Sequence, residues 1–163
     1  MICKFTLMFS RAAVAVGIAG LLAFKGIKSK SLDKSGAMAA FFVGASSLFA
    51  LPRSGICLLG FYYSSSKLTK YKSDRKSKLD ADYKPGGQRN YVQVFSCSLL
   101  ATLLSAYHYL RVGTDGPVFN QDSSPIHAAC MLGIAGHYSC CAADTWASEL
   151  VSSISYFNPF AID

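Results

Sequence analysis

Two glycines and an arginine stand just before a long apolar stretch, in a pattern that suits phosphate binding. Gly86 and Gly87 leave their backbone amides open to the close approach of an anion, particularly ahead of a helix N-terminus. Arg89 adds a planar, permanently charged fork that matches phosphate oxygens. The spacing differs from that of the P-loop of nucleotide-binding proteins. A turn with a cationic anchor at a membrane surface explains the same residues equally well.

Two acidic residues, Asp144 and Glu149, directly follow the last long apolar stretch. Carboxylates at a membrane boundary are costly to bury, and this makes them candidates for a functional role. Carboxylates and substrate phosphates are the usual surroundings of Mg²⁺, so both residues are candidate catalytic groups and candidate magnesium ligands. On a continuous helix they would point about 140° apart, and one ion held by both would require a broken helix or a second segment. A helix cap with interfacial charges is the alternative.

Long stretches that are almost free of charge must position these residues. Four of them are close to the roughly 20 apolar residues that a helix needs to cross a bilayer, and they cover residues 5–24, 35–51, 90–110 and 125–143. A shorter stretch, 54–66, is either a short crossing or a re-entrant segment. Backbone inside lipid must satisfy its own hydrogen bonds, which favours helices. We therefore predict an all-α, multi-pass transmembrane helical bundle with four or five membrane segments in one domain, rather than a soluble bundle.

The positive charges, which give the chain a formal net charge of +7, are concentrated in two loops. The first covers residues 25–34, and the larger second loop covers residues 67–89. Short basic loops tend to stay on the cytoplasmic side, and these two share one side if 35–51 and 54–66 each cross. The same count brings Asp144 and Glu149 to that side and puts the N-terminus, with Arg11, on the other. We expect the first stretch to be an uncleaved membrane helix rather than a secretory signal.

The cysteines, histidines and basic residues give no pattern typical of a zinc site or of nucleic-acid binding. The chain has 6 cysteines, none of them in a C-x-x-C pair, which disfavours a zinc site. His127 and His137 are expected at helix ends or in hydrogen bonds between helices. The basic residues lie in short loops without an interleaved aromatic platform, so we expect no nucleic-acid partner. The expected partner is the lipid bilayer.

Four short blocks of the sequence resemble those of the transmembrane protein 19 family. The blocks follow the family's order with familiar spacing, and they cover residues 30–37, 64–72, 86–95 and 144–149. The family consists of multi-pass membrane proteins of mostly undefined function. It is related to the plant phytyl-phosphate kinase, which converts a prenyl monophosphate to the diphosphate. The resemblance extends over residues 26–150, so the match to the family is specific, whereas the kinase activity is implied only by the family's more distant relation to that enzyme.

The resemblance implies a role for each candidate residue in a lipid-phosphate kinase. Gly86, Gly87 and Arg89 would bind the phosphate of a prenyl or other lipid phosphate, and Lys67 and Lys70 would add positive charge. The acidic pair would hold Mg²⁺ or position the attacking oxygen, with a nucleoside triphosphate as phosphoryl donor. The alternative is a non-enzymatic structural membrane protein or carrier whose basic loops meet anionic head groups. Both functions suit a multi-pass protein of an endomembrane or plastid-type membrane.

The chain departs from the family pattern in its last part. Cys97 and Ser98 stand where the family usually has an amide side chain, and Leu150 and Val151 follow Glu149 where the family usually has glycine. Residues 150–163 form an atypical tail, and the family's later half is absent. We therefore expect the chain to be a truncated form with the N-terminal half of the family domain. An active site that needs the later half would be incomplete in it.

Overall fold

The computed structural model describes residues 2–71, 88–113 and 125–154, and its regular elements are helices. They are α1 (Ile2–Lys28), α2 (Lys34–Ala50), α3 (Pro52–Lys70), α4 (Tyr91–Ser96), α5 (Leu99–Val112) and α6 (Pro125–Ile154). In these ranges no strand is formed, and the β-type pairing is an isolated bridge between Leu32 and Arg89. The predicted all-α architecture is confirmed.

Successive long helices run in alternating directions, so the bundle has two distinct ends. At one, which we call the loop end, the Lys70 ammonium at the end of α3 donates to the Ser29 carbonyl just after α1, at 2.9 Å. At the opposite, far end, the rings of Phe49 on α2 and Tyr109 on α5 lie 5.4 Å apart. Thus α1, α3 and α6 run from the far end to the loop end, while α2 and the α4–α5 pair run back.

The short apolar stretch at 54–66 forms the middle of a complete helix. This helix, α3, has 19 residues, which corresponds to about 28 Å at 1.5 Å per residue and approaches the ~30 Å of a bilayer core. Pro52 occupies its first turn, where the missing amide would have no helical partner in any case. Because α3 begins at the far end and finishes at the loop end, the stretch crosses the bundle rather than re-entering it.

The outer surface of the bundle is strongly apolar. Two of the described helices, Thr6–Lys28 and Pro125–Leu150, are long and apolar enough to cross a membrane by length and composition. On α1 the exposed fractions of Leu21 and Phe24 are 73% and 68%. Since water would make such exposure costly, the surface matches a lipid environment.

The interior combines a small apolar core with buried hydroxyl groups. The core is formed by Leu51, Ala101, Ile134 and Tyr138. Nearby, the Ser105 hydroxyl donates to the Ser54 hydroxyl at 2.7 Å, which joins α5 to α3. Small polar residues that bond across helix contacts are typical of membrane bundles, where burial of apolar groups gives no drive for association.

Arg11 is the one charged residue within the first apolar stretch, and its side chain forms a hydrogen bond at the far end of the bundle. Its Nη2 donates to the carbonyl of Phe49 at 3.3 Å. Phe49 lies in the last turn of α2, where carbonyl groups lack helical partners and bear partial negative charge. The cation predicted for the side opposite the basic loops thus stabilises the C-terminus of a neighbouring helix.

Candidate functional site

The segment that precedes α4 is docked against the start of α2 through its backbone. The Arg89 amide donates to the Ser31 carbonyl at 3.0 Å, and the Asp33 amide donates to the Arg89 carbonyl at 3.1 Å. These two bonds form the isolated parallel bridge between Leu32 and Arg89. The described part of the sequence block at 86–95 therefore lies directly beside the block at 30–37.

The N-termini of α2 and α4 begin at this junction and share hydrogen bonds. The Asp33 carboxylate caps α2, accepting from the Gly36 amide at 2.6 Å and from the Ser35 hydroxyl at 2.7 Å. The Ser35 oxygen in turn accepts from the Tyr91 amide at 3.3 Å. Asn90 caps α4 in a capping box. Side chains thus satisfy orphan amides at both helix starts, which fixes the two helices relative to each other.

Gly36 permits the close approach of the two segments. A Cβ atom at this position would collide with the carbonyl oxygen of Arg89 and would lie 3.0 Å from its carbonyl carbon. Both atoms belong to backbone, which cannot rotate away as a flexible side chain can. A residue without a side chain is therefore required here.

The Arg89 guanidinium lies at the contact between this junction and α3. The side chain is half-buried, and its Nη1 donates to the Ser66 hydroxyl at 3.3 Å. Burial lowers the pKa of Arg89, while the nearby charge of Glu149 acts in the opposite direction. The guanidinium stays charged, since arginine does not lose its proton in proteins.

Glu149 of α6 approaches the same face of α3. Its Oε1 accepts from the Thr69 hydroxyl at 2.7 Å. Ser66 and Thr69 are three residues apart and so are neighbours on the α3 surface. One helical turn therefore contacts both the cation and the carboxylate of the site. We call Ser66, Thr69, Arg89 and Glu149 the polar cluster.

A buried hydroxyl lies one turn deeper in the bundle than Thr69. The Ser65 side chain is fully buried, and its Oγ has no hydrogen-bond partner in the part of the protein that the structure describes. Ser65 and Thr69 are four residues apart and share a face of α3. Because buried hydroxyls are normally hydrogen-bonded, a water or ligand oxygen is expected beside Ser65.

Of the remaining predicted site residues, the two lysines and Asp144 lie outside the polar cluster. Lys67 and Lys70 are exposed at the loop end, and Lys70 is engaged with the Ser29 carbonyl. Asp144 is exposed on α6. Gly86 and Gly87, the predicted phosphate-binding glycines, lie outside the residues that the structure describes.

The two acidic residues do not converge on one point. α6 runs without a break from Pro125 to Ile154, so Asp144 and Glu149 point about 140° apart. Among the described residues, no group of three or more His, Cys, Asp or Glu side chains is placed to hold a metal ion. The arrangement therefore does not fit a magnesium ion held jointly by this pair.

Comparison with known proteins identifies the family. The sequence profile of the family described as integral membrane protein DUF92 matches residues 17–163. The chain belongs to the DUF92 family. Protein PGR of Arabidopsis thaliana is 44% identical to it over 140 residues, which is 86% of this chain and 49% of that protein. The chain thus spans about half the length of the curated relative it matches. No solved structure matches this DUF92 chain.

Membership of DUF92 makes this an integral membrane protein and accounts for its apolar outer surface. The blocks at 30–37, 64–72, 86–95 and 144–149 all fall within the matched residues. In the DUF92 bundle, described residues of all four blocks meet at the loop end. Sequence reasoning missed the contacts of Ser66 and Thr69, although their three-residue spacing within one block was a usable signal.

Proposed function

We propose that this DUF92 protein recognises a phosphorylated lipid at the loop end, and that the full-length form serves as a prenyl-phosphate kinase. The observation that carries the proposal is the position of Arg89. Its backbone is fixed by two hydrogen bonds to the start of α2, while one N–H of its guanidinium is used by Ser66. An arginine held in this way presents a preorganised fork for phosphate oxygens.

The electrostatics of the loop end support binding of an anion. Lys67 and Lys70 are exposed on the last turn of α3, one turn or less from the residues that contact Arg89 and Glu149. Their charges would attract a phosphate head group that diffuses in the membrane surface. A prenyl tail would remain in the lipid beside the apolar exterior of the bundle. A phosphorylated lipid therefore satisfies both the charge and the location of the site.

Glu149 would act as the hydrogen-bond acceptor of the site. Thr69 fixes its carboxylate at 2.7 Å, near the charge of Arg89. In that position Glu149 could accept a proton from a monoprotonated phosphate and orient its attacking oxygen. Catalysis would then consist of positioning and charge neutralisation. The resemblance implies a nucleoside triphosphate with magnesium as donor. Because a joint magnesium site of Asp144 and Glu149 does not fit, we assign neutralisation in this half of the domain to Arg89 and the lysines.

A non-enzymatic structural or carrier role is the second candidate, and one observation favours it. The same bonds that position Arg89 and Glu149 also tie α2, α3, α4 and α6 together at the loop end. In that case the blocks would serve helix packing and insertion. A carrier would be expected to bind the lipid without transferring phosphate.

Ligand selectivity of the full chain in nanodiscs tests the proposal. Trp146 is the single tryptophan of the chain and lies one turn from Glu149, so its fluorescence reports on the loop end. We expect a prenyl monophosphate to bind at least about tenfold more tightly than the matching prenyl alcohol, since charge-assisted hydrogen bonds contribute about 1.5–3 kcal/mol. The difference should shrink in high salt. Equal affinity for phosphate and alcohol would favour the structural role.

A further inference from the structure

The outer faces of α1 and α3 present two exposed rows of side chains that both end in lysines at the loop end. Each row follows one face of its helix, because its members are three or four positions apart. The rows are formed by Leu21, Lys25 and Lys28 on α1 and by Gly60, Tyr63 and Lys67 on α3. Since α1 and α3 both run toward the loop end, each row is apolar toward the middle of the bundle and cationic at the membrane surface.

A contact between Lys25 and Tyr63 joins the two rows. Lys25 Nζ donates to the Tyr63 hydroxyl at 3.0 Å and lies 5.3 Å from the centre of the Tyr63 ring. An ammonium group has three N–H donors, and this bond uses one of them. The Tyr63 oxygen is the acceptor, so the bond does not use the hydroxyl proton of Tyr63. The contact therefore holds an ammonium group and a hydroxyl donor side by side on the outer surface.

An apolar surface lies next to this contact, toward the middle of the bundle. On α3 the exposed fraction of Ile56 is 64%, and Leu21 is exposed on α1. Gly60 lies between Ile56 and Tyr63 on the same face of α3, and a Cβ atom added to it would meet no atom within 4 Å. An acyl chain can therefore lie directly against the backbone of α3 at Gly60, with Leu21 and Ile56 beside it.

The charge of the loop end favours an anion at this surface. Lys25 and Lys28 lie in the last turn of α1, and Lys67 lies in the last turn of α3. The segment that follows α3, residues 72–87, lies outside the described residues and has five Lys or Arg against three Asp, a net charge of +2. That segment adds to the positive charge of the loop end and does not cancel it.

We propose that the two rows form a binding site for one anionic phospholipid of the surrounding bilayer. Lys25 and Lys28 bind the oxygens of its phosphodiester through charge-assisted hydrogen bonds, and Tyr63 donates its hydroxyl proton to one of these oxygens. An acyl chain lies against Leu21 and Gly60. A zwitterionic lipid has the same phosphodiester but adds a positive group, which the lysines repel. Basic residues between membrane helices at the head-group level are a known way of binding anionic lipids.

This lipid site is separate from the polar cluster and does not rest on the proposed kinase function. Tyr63 and Thr69 are six residues apart and so point about 120° away from each other on α3. The phosphodiester of a membrane lipid is also a different ligand from the monophosphate of a prenyl phosphate. A lipid bound in this position would bridge the last turns of α1 and α3 and so stabilise the loop end from outside.

Native mass spectrometry of the full chain tests the inference. The chain is released from micelles that contain equal amounts of phosphatidylglycerol and phosphatidylcholine with identical acyl chains. We expect a single phosphatidylglycerol to remain bound in preference to phosphatidylcholine. In the double variant Lys25→Met/Lys28→Met its affinity should fall about thirtyfold, because each lysine near an anionic head group contributes roughly fivefold. Equal retention of the two lipids by the wild-type chain would overturn the proposal.

Two further variants distinguish a built site from general attraction by charge. Tyr63→Phe keeps the ring but removes the hydroxyl, and the affinity for phosphatidylglycerol should fall about two- to tenfold with the loss of one hydrogen bond. Lys34→Met removes an exposed charge at the same end of the bundle, from the start of α2. It should change the affinity by less than about twofold, because an isolated surface charge contributes little.

Three results would contradict a lipid site between α1 and α3. An unchanged affinity in Tyr63→Phe, or equal losses in Lys34→Met and the double lysine variant, would mean that overall charge attracts the lipid. A dimer that forms with loss of the lipid would mean that a second copy of the chain covers this face. Helical circular dichroism equal to that of the wild-type chain confirms that each variant is folded.

Discussion

Gly36→Ala is expected to detach the Arg89 segment from α2 and to destabilise the bundle. The added Cβ would collide with the Arg89 carbonyl oxygen, which accepts from the Asp33 amide. Adding a methyl group to a tightly packed site typically lowers the free energy of unfolding by about 1–3 kcal/mol. We expect a loss toward the upper end of this range, because the atoms that the new Cβ meets belong to the backbone and cannot rotate away. The shift of Arg89 should also weaken binding of a prenyl monophosphate. Stability is measured by denaturant unfolding in mixed micelles, and binding by the fluorescence of Trp146.

Other glycines of the bundle provide matched controls for this substitution. A Cβ atom at Gly17 or Gly60 would meet no atom within 4 Å. Both residues lie within long helices, where alanine is the better helix former. Gly17→Ala and Gly60→Ala should therefore leave stability unchanged or raise it slightly. If Gly36→Ala unfolds at the same denaturant concentration as these controls, the docked arrangement of Arg89 is wrong.

Arg89→Lys is expected to abolish most of the selectivity for the phosphorylated lipid. Lysine keeps the positive charge but lacks the planar guanidinium. It therefore cannot donate to the Ser66 hydroxyl and to two phosphate oxygens at the same time. We expect the affinity for a prenyl monophosphate to fall by about ten- to hundredfold, which corresponds to the loss of one charge-assisted interaction. Affinity for the prenyl alcohol should stay unchanged. Binding of both ligands is measured in nanodiscs at one fixed salt concentration.

Arg111→Lys is the control for the loss of an arginine away from the loop end, since both substitutions keep the positive charge. Arg111 is exposed at the far end, where its guanidinium lies 5.9 Å from the ring centre of Tyr107. Its replacement should change the affinity for a prenyl monophosphate by less than about twofold, because an exposed pairing contributes little. Equal losses in Arg89→Lys and Arg111→Lys would mean that the loss of affinity does not depend on the position of Arg89 at the loop end.

Much of the fold could be predicted from hydropathy and charge. Apolar stretches between clusters of Lys and Arg define helices and their order, and the two basic loops predict which helix ends lie together. The ends of α3 could not be placed in this way. Its loop-end half includes Ser64, Ser65 and Ser66, which hydropathy assigns to a boundary, whereas the helix continues to Lys70. There the hydroxyls of Ser64 and Thr69 donate to carbonyls of their own helix, and Thr69 also donates to Glu149 of α6.

The sequence did not predict which residues contact each other in the candidate site and in the interior of the bundle. Arg89 and Glu149 could be named as candidates from type and position, but their partners Ser66 and Thr69 depend on how α3 is rotated. His127 and His137 are predicted at helix ends or in hydrogen bonds between helices, and the structure shows the second: His127 bonds to His108 of α5, and His137 lies 3.2 Å from the Cys97 carbonyl oxygen. The partner of each could not be read from spacing, because it depends on the relative height of two helices.

Topology by cysteine accessibility tests the central claim most directly, namely that the blocks meet at one surface of a membrane bundle. Lys67→Cys, Ser148→Cys and Arg111→Cys are introduced singly into a chain without native cysteines, after confirming that it still binds a prenyl monophosphate. All three positions are exposed. In sealed vesicles treated with a membrane-impermeant maleimide, we expect positions 67 and 148 to label from the same side and position 111 from the other. Labelling of positions 67 and 148 from opposite sides would contradict both the alternating bundle and a shared phosphate site.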